Sequence, residues 1–158
     1  MIKRKLNTLR ILLASLDLDL DKEFNNTISI KFPDTIPQDL LLLADKNPEI
    51  SGFVYPEDKD KVRAGIYKGD KLVGFFTPRE EGKGLGWRVG AIFIHPDERG
   101  SGIATEVLKE FFKDRVAAPV PISVDNISSR KSFERAGFKD TGVELVEDDG
   151  WTATWFEK

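Results

Sequence analysis

Residues Val89 to Phe112 read V-G-A-I-F-I-H-P-D-E-R-G-S-G-I-A-T-E-V-L-K-E-F-F. The run Val89–Ile94 is short, apolar and β-branched, which predicts a buried strand. His95-Pro96 ends it, because proline lacks the donor a ladder needs. Ile103, Val107, Leu108, Phe111 and Phe112 then recur at helical spacing and mark one buried face. Arg99-Gly100-Ser101-Gly102 is the turn between strand and helix.

That turn suits an anion. A helix opens with about four N–H groups that have no intrahelical partner. Glycine allows close approach and reaches the positive φ that aims successive N–H groups inward. Phosphate is favoured by those donors and by the positive end of the helix dipole. Arg99 adds a permanent charge and Thr105 a first-turn hydroxyl. The patterns G-x-G-x-x-G and G-x-x-x-x-G-K-[ST] are absent, which argues against dinucleotide-binding and P-loop folds. What is present is R-x-x-G-x-A, at Arg99, Gly102 and Ala104.

Composition sets bounds. A chain of 158 residues is expected to form one domain with a real core. With 24 Lys+Arg against 27 Asp+Glu the net charge is −3, which speaks against a nucleic-acid binder relying on broad phosphate attraction. Cysteine is absent and His95 is the single histidine, so neither a thiolate nucleophile nor a His/Cys metal site is expected. No run approaches the ~18 apolar residues of a membrane helix. Lys3-Arg4-Lys5 before Ile11–Leu16 hints at a leader, but Asp17, Asp19 and Asp21 follow at once, so a cytoplasmic protein is expected.

Along the chain, Ile2, Leu6, Leu9, Leu13, Leu16 and Leu20 form an a/d seam, predicting a Leu-rich helix over residues 1–26. It either packs on its own domain or pairs with a partner; pairing with a second copy would give a homodimer through residues 2–20. Thr27–Phe32 alternates as a strand, and Gln38–Ala44 is a short helix between Pro37 and Asn47-Pro48. Val62–Lys68 and Lys71–Thr77 flank Gly69-Asp70 as a hairpin, with a polar turn over Arg79–Leu85. Gly90 suggests a bulge in the next strand. Val120–Val124 is a strand, Asn126 caps a helix through Ala136, and Gly137 ends it. Phe138–Leu145 and Trp151–Phe156 form a last hairpin. The order predicts an α/β fold with a strongly bent mixed sheet and helices on both faces.

Two motifs coincide with that order. I-F-I-H-P with R-x-x-G-x-A is the first, and N-I-S-S-R-K-S-F-E-R-A-G-F, Asn126 to Phe138, is the second. Together they resemble the acyl-CoA-binding elements of the GCN5-related N-acetyltransferases (GNAT), over about residues 27–158. The resemblance implies strands that splay apart near Gly90 and an acetyl-CoA between them as co-substrate. Its pantetheine would bond the backbone of Ile92, Phe93 and Ile94. Its pyrophosphate would sit on Gly100, Ser101, Gly102, Ile103, Ala104 and Thr105, near Arg99. Asn126, Ser129 and Phe133 would border the arm. The implied reaction is direct attack of a primary amine, on a small molecule or a peptide, upon the thioester. No metal, nucleic acid or membrane is implied.

The sequence departs from that family in its acid–base half. The usual tyrosine aligns with Phe133, the position of a common acidic base is Pro121, and Gly86–Ile94 holds no carboxylate. Candidates to move protons are Asp125, Ser123, Ser132, Tyr67 and Glu144, with Glu147 and His95 behind them. Two functions therefore compete: an N-acetyltransferase, and an acyl-CoA-binding module with little or no turnover that serves as sensor or assembly part.

Overall fold

The computed structural model describes residues 26–47, 62–82 and 84–158. The Leu-rich helix, and the homodimer expected through residues 2–20, lie outside the described residues. Eleven short elements follow in order. Strand β1 spans Ile28–Asp34, helix α1 Gln38–Asp45, β2 Arg63–Lys68, β3 Lys71–Glu81 and β4 Gly86–Ile94. A 3-10 turn, Pro96–Glu98, leads to α2 (Ile103–Phe112), β5 (Val120–Ser123), α3 (Ile127–Arg135), β6 (Lys139–Val146) and β7 (Thr152–Glu157).

The mixed α/β architecture expected from the element order is what folds, and its bend is sharp enough to divide the sheet. Strands β1-β2-β3-β4 form one antiparallel sheet and β5-β7-β6 another. A parallel bridge between Trp87 and Ala117 joins them. There the Trp87 N–H donates to Val116 O at 2.7 Å and the Ala118 N–H to Trp87 O at 2.8 Å. Beyond that bridge β5 pairs with β7, and the outer edge of β4 has no ladder partner among the described residues. The strands thus meet at one end and part toward the other. Gly86 makes the meeting possible: its φ is +100°, and a Cβ there would lie 2.7 Å from Val116 O.

Helices pack on both faces of the first sheet. Helix α2 buries Ile103, Val107, Leu108, Phe111 and Phe112 against Ala64, Ile66, Phe76 and Val89. Helix α1 buries Leu40, Leu41 and Ala44 against Phe75 and Phe93 on the other face. Phe111 is the hub of the larger core, edge-on to Phe76 at 5.3 Å and to Trp87 at 5.7 Å.

Three strand limits differ from the sequence expectation by more than one residue. Strand β1 was expected to stop at Phe32 but runs through Pro33 to Asp34. It is an edge strand whose register shifts between Lys31 and Asp34, so a missing donor is tolerated there. Strand β3 runs through Pro78 to Glu81, where a polar turn was expected from Arg79. Its partner β2 pairs only as far as Phe76, so Pro78 sits on an edge already open. Strand β4 accordingly begins at Gly86 instead of Val89, with Glu81 opposite Gly86. The bulge expected at Gly90 falls one residue on. Phe75 faces Phe93 and Thr77 faces Gly90, so Ala91 and Ile92 share Phe76, and Ala91 takes a φ of +50°. No described helix is long and apolar enough to cross a membrane.

Candidate functional site

Where β4 and β5 part, a cleft of about 360 Å³ opens. One wall is β4, with Ile92, Phe93 and Ile94; another is the loop and start of α2, with Arg99, Gly100, Gly102, Ile103, Ala104 and Thr105. The third is α3, with Asn126, Ser129 and Phe133. Those twelve residues are the ones the sequence motifs single out. Ser101, the thirteenth, turns its hydroxyl away and donates to Glu98 O at 3.0 Å. Ser101 borders instead a larger cavity, about 670 Å³, between the start of β1 and α2. That cavity mixes Lys68, Lys109 and Lys113 with Glu106 and Glu110 and begins at Asn26, where the described chain begins. We take the smaller cleft as the candidate site, because of the two cavities it alone is lined by residues of both sequence motifs.

The strand edge can be worked out from its neighbours. The His95 N–H donates to Val73 O of β3 at 2.8 Å. Alternation along an antiparallel ladder then turns the main chain of Phe93 toward β3 and that of Ile94 toward the cleft. Ile94 O indeed accepts from Arg99 Nε at 3.0 Å, on the side away from β3. Phe93 contributes its ring, which carries the Arg99 guanidinium at 5.4 Å. So Arg99 is folded back onto β4 and fixes the loop that follows.

The loop itself is open to a ligand. Gly100 and Gly102 have φ of +84° and +77°, and a Cβ on either would meet nothing within 4 Å. The first bond of α2 is Glu106 N–H to Gly102 O at 3.1 Å. The N–H groups of Ile103, Ala104 and Thr105 therefore stand ahead of the helical ladder. Across the cleft, Asn126 Oδ1 caps α3 by accepting from the Ser129 N–H at 3.1 Å, which leaves its amide NH₂ as a donor.

Of the proton-moving candidates, Ser132 lines the cleft. The others do not. Tyr67 donates to Asp34 Oδ2 at 2.6 Å, and that bond, with burial and the carboxylate's charge, holds its hydroxyl above its usual range. Ser123 Oγ accepts from the Asp125 N–H at 3.3 Å in the turn after β5. Glu144 is exposed on β6, the edge strand, and Glu147 lies in the turn closed by its N–H to Trp151 O. His95 Nδ1 accepts from the Asp97 N–H at 3.2 Å, capping the 3-10 turn. Phe133 is 5% exposed and packs edge-on against Phe138 at 5.0 Å.

Sequence reading passed over five lining residues, three on α3 with Asn47 and Glu98. Ser128, Lys131 and Arg135 join Ser132 on the cleft side, and Glu98 enters from the loop. The α3 residues stand at i, i+3, i+4 and i+7, a polar stripe at helical period that was there to be found. Among the described residues, no group of three His, Cys, Asp or Glu side chains could hold a metal ion.

The profile of the Acetyltransferase (GNAT) domain matches residues 36–158. No curated protein sequence matches the chain. Solved structures agree with the fold. An aminoglycoside N(6')-acetyltransferase from Legionella pneumophila superposes with a TM-score of 0.62 at 14% identity, covering 82% of this chain and 91% of that one. The microcin C7 self-immunity acetyltransferase MccE, solved with acetyl-CoA and AMP, gives 0.60 at 15% identity over 85% and 93%. An IAA acetyltransferase from Bacillus cereus gives 0.57 at 16% over 83% and 99%. With a matching profile over most of its length, the chain belongs to the GNAT acetyltransferase family.

Proposed function

We propose that the chain is an acetyl-CoA-dependent N-acetyltransferase that acetylates a primary amine of a small molecule or peptide by direct attack on the thioester. The observation that carries this reading is the convergence of an unpaired strand edge and an unpartnered helix N-terminus on one cleft. The residues fit that co-substrate. Space stands open beside Gly100 and Gly102, as a diphosphate on main-chain N–H groups requires. Lys131 and Arg135 face it from α3 with positive charge. The outward main chain of Ile92 and Ile94 can bond an amide-bearing arm as an added strand, and the Asn126 NH₂ can reach the same arm.

Acetyl-CoA supplies the activated acetyl group. The chain's part is to hold it, to admit an amine, and to move two protons. A lysine-like amine is neutral in roughly one molecule in two thousand at pH 7, so its proton must be lost before attack. The described cleft offers a single carboxylate, Glu98, and it is engaged by Lys68 and Lys71 at 3.2 Å each. Water is therefore the base in this reading. Ser132, whose hydroxyl both donates and accepts, relays a proton to the departing sulfur.

The same scarcity of acids and bases favours a second reading, an acyl-CoA-binding module with little turnover. Calorimetry with acetyl-CoA, followed by thiol release against a panel of amines, separates the two. Micromolar binding with acceptor-dependent thiol release is expected. Binding without release on any amine supports the module, and absence of binding removes both.

A further inference from the structure

Lys68 and Lys71 stand directly opposite each other at the tip of the β2–β3 hairpin. Like charges in that position repel. The Glu98 carboxylate lies between them, Oε2 to Lys68 Nζ and Oε1 to Lys71 Nζ, both at 3.2 Å. Its side chain is 14% exposed, against 70% for Lys71, so the lysines reach in to it. The rest of Glu98 is also tied down. Its N–H donates to His95 O at 2.9 Å, and its carbonyl accepts from Ser101 Oγ at 3.0 Å. The next residue, Arg99, is bound back to Ile94 O. Glu98 and Arg99 are thus the anchored pair from which the open loop departs.

We propose that Glu98 is a positioning residue for the Gly100–Thr105 amides, clamped by Lys68 and Lys71 so that the loop keeps the shape its ligand needs. The inference rests on reading the cleft as a coenzyme A site. It makes a prediction opposite in sign to simple electrostatics. Removing a carboxylate beside a diphosphate should tighten binding if charge alone counts. If the clamp sets the loop, Glu98→Gln weakens it.

The test is calorimetry with coenzyme A on four forms of the full chain: wild type, Glu98→Gln, Lys68→Met/Lys71→Met, and the triple variant. Glu98→Gln is expected to bind about fivefold more weakly than wild type, and to add nothing once the lysines are gone. Equal or tighter binding by Glu98→Gln overturns the proposal, as does an undiminished loss in the background without lysines. Hydrogen exchange without ligand gives a second measure. The amides of Glu98 and Glu106, bonded to His95 O and Gly102 O, should exchange about fivefold faster in Glu98→Gln. Unchanged exchange overturns the clamp. Should wild type show no heat with coenzyme A, the proposed function falls, and the exchange rates alone decide whether the clamp holds the loop.

Discussion

Phe133 stands where the resemblance implies a tyrosine, and its surroundings explain what such a difference costs. The ring is buried among Phe138 and Phe156 yet still borders the cleft. It supplies packing and no proton. A placed acid typically contributes ~10²–10⁴-fold, so Phe133→Tyr should raise steady-state thiol release by about tenfold or more if the absent hydroxyl limits the rate. Unchanged turnover would show that Ser132 or water already does that work. Gly102 tests the other half of the cleft. Gly102→Glu puts a β-carbon at φ +77° and a negative charge at the mouth of the helix. Coenzyme A affinity should fall by about a hundredfold or more, and calorimetry showing retained affinity would refute the loop as the diphosphate site. Residues of this kind were legible in the sequence, because R-x-x-G-x-A and the Asn126 cap announce themselves at short range. Glu98 was not, because its lysine partners sit 27 and 30 positions away and only the folded hairpin brings them to it. Tyr67 misled for the same reason: a phenol near an expected cleft turned out to be occupied by Asp34.

Among the elements, the parting of β4 and β5 matters most, and it depends on two backbone positions. At Ala91 a non-glycine residue holds φ +50°, which costs about 1–2 kcal/mol and is kept by the bulge that re-aims the strand toward the cleft. At Gly86 the approach of residues 116–118 leaves no room for a side chain. Gly86→Ala should therefore destabilise by about 3 kcal/mol and lower Tm by roughly 6–12 °C. Gly82→Ala is the control, since a Cβ there meets nothing within 4 Å. Equal melting of both variants would mean that the hinge does not need glycine. The strands' existence could be read from alternation, but their ends could not. Pro33 and Pro78 look like stops in one dimension, and they are harmless in the fold because each lies where no neighbour asks for its N–H. Edge status belongs to the sheet order, which local sequence does not carry.

For the whole molecule, the order of elements was enough to name the architecture, while the division into two sheets followed only from how the halves meet at Trp87 and Ala117. Titratable contacts within each half set the pH range of stability. Arg130 ties α3 to all three strands of the second sheet, donating to Ile122 O, Thr154 Oγ1 and Asp140 Oδ2. The Gly142 N–H, the Thr154 hydroxyl and Arg130 hold Asp140 below the usual carboxylate range. Arg79 and then Arg88 do the same for Glu81, and Lys68 and Lys71 for Glu98. Each of these carboxylates is a weaker base in the fold than in the unfolded chain. Their contribution is therefore complete above the unfolded carboxylate range, about pH 4 to 4.5, and is lost as pH falls through the folded values. Tyr67 acts at the other end. Its raised pKa means the fold favours the neutral phenol, so its contribution is complete below about pH 10 and is lost as pH rises through the folded value. Melting temperature measured from pH 2 to 11 should trace a plateau with two falling limbs. Tyr67→Phe should flatten the alkaline limb and spare the acid one, while Glu81→Gln with Asp140→Asn should do the reverse. An alkaline limb as steep in Tyr67→Phe as in wild type would show that the Tyr67–Asp34 bond does not set the upper boundary.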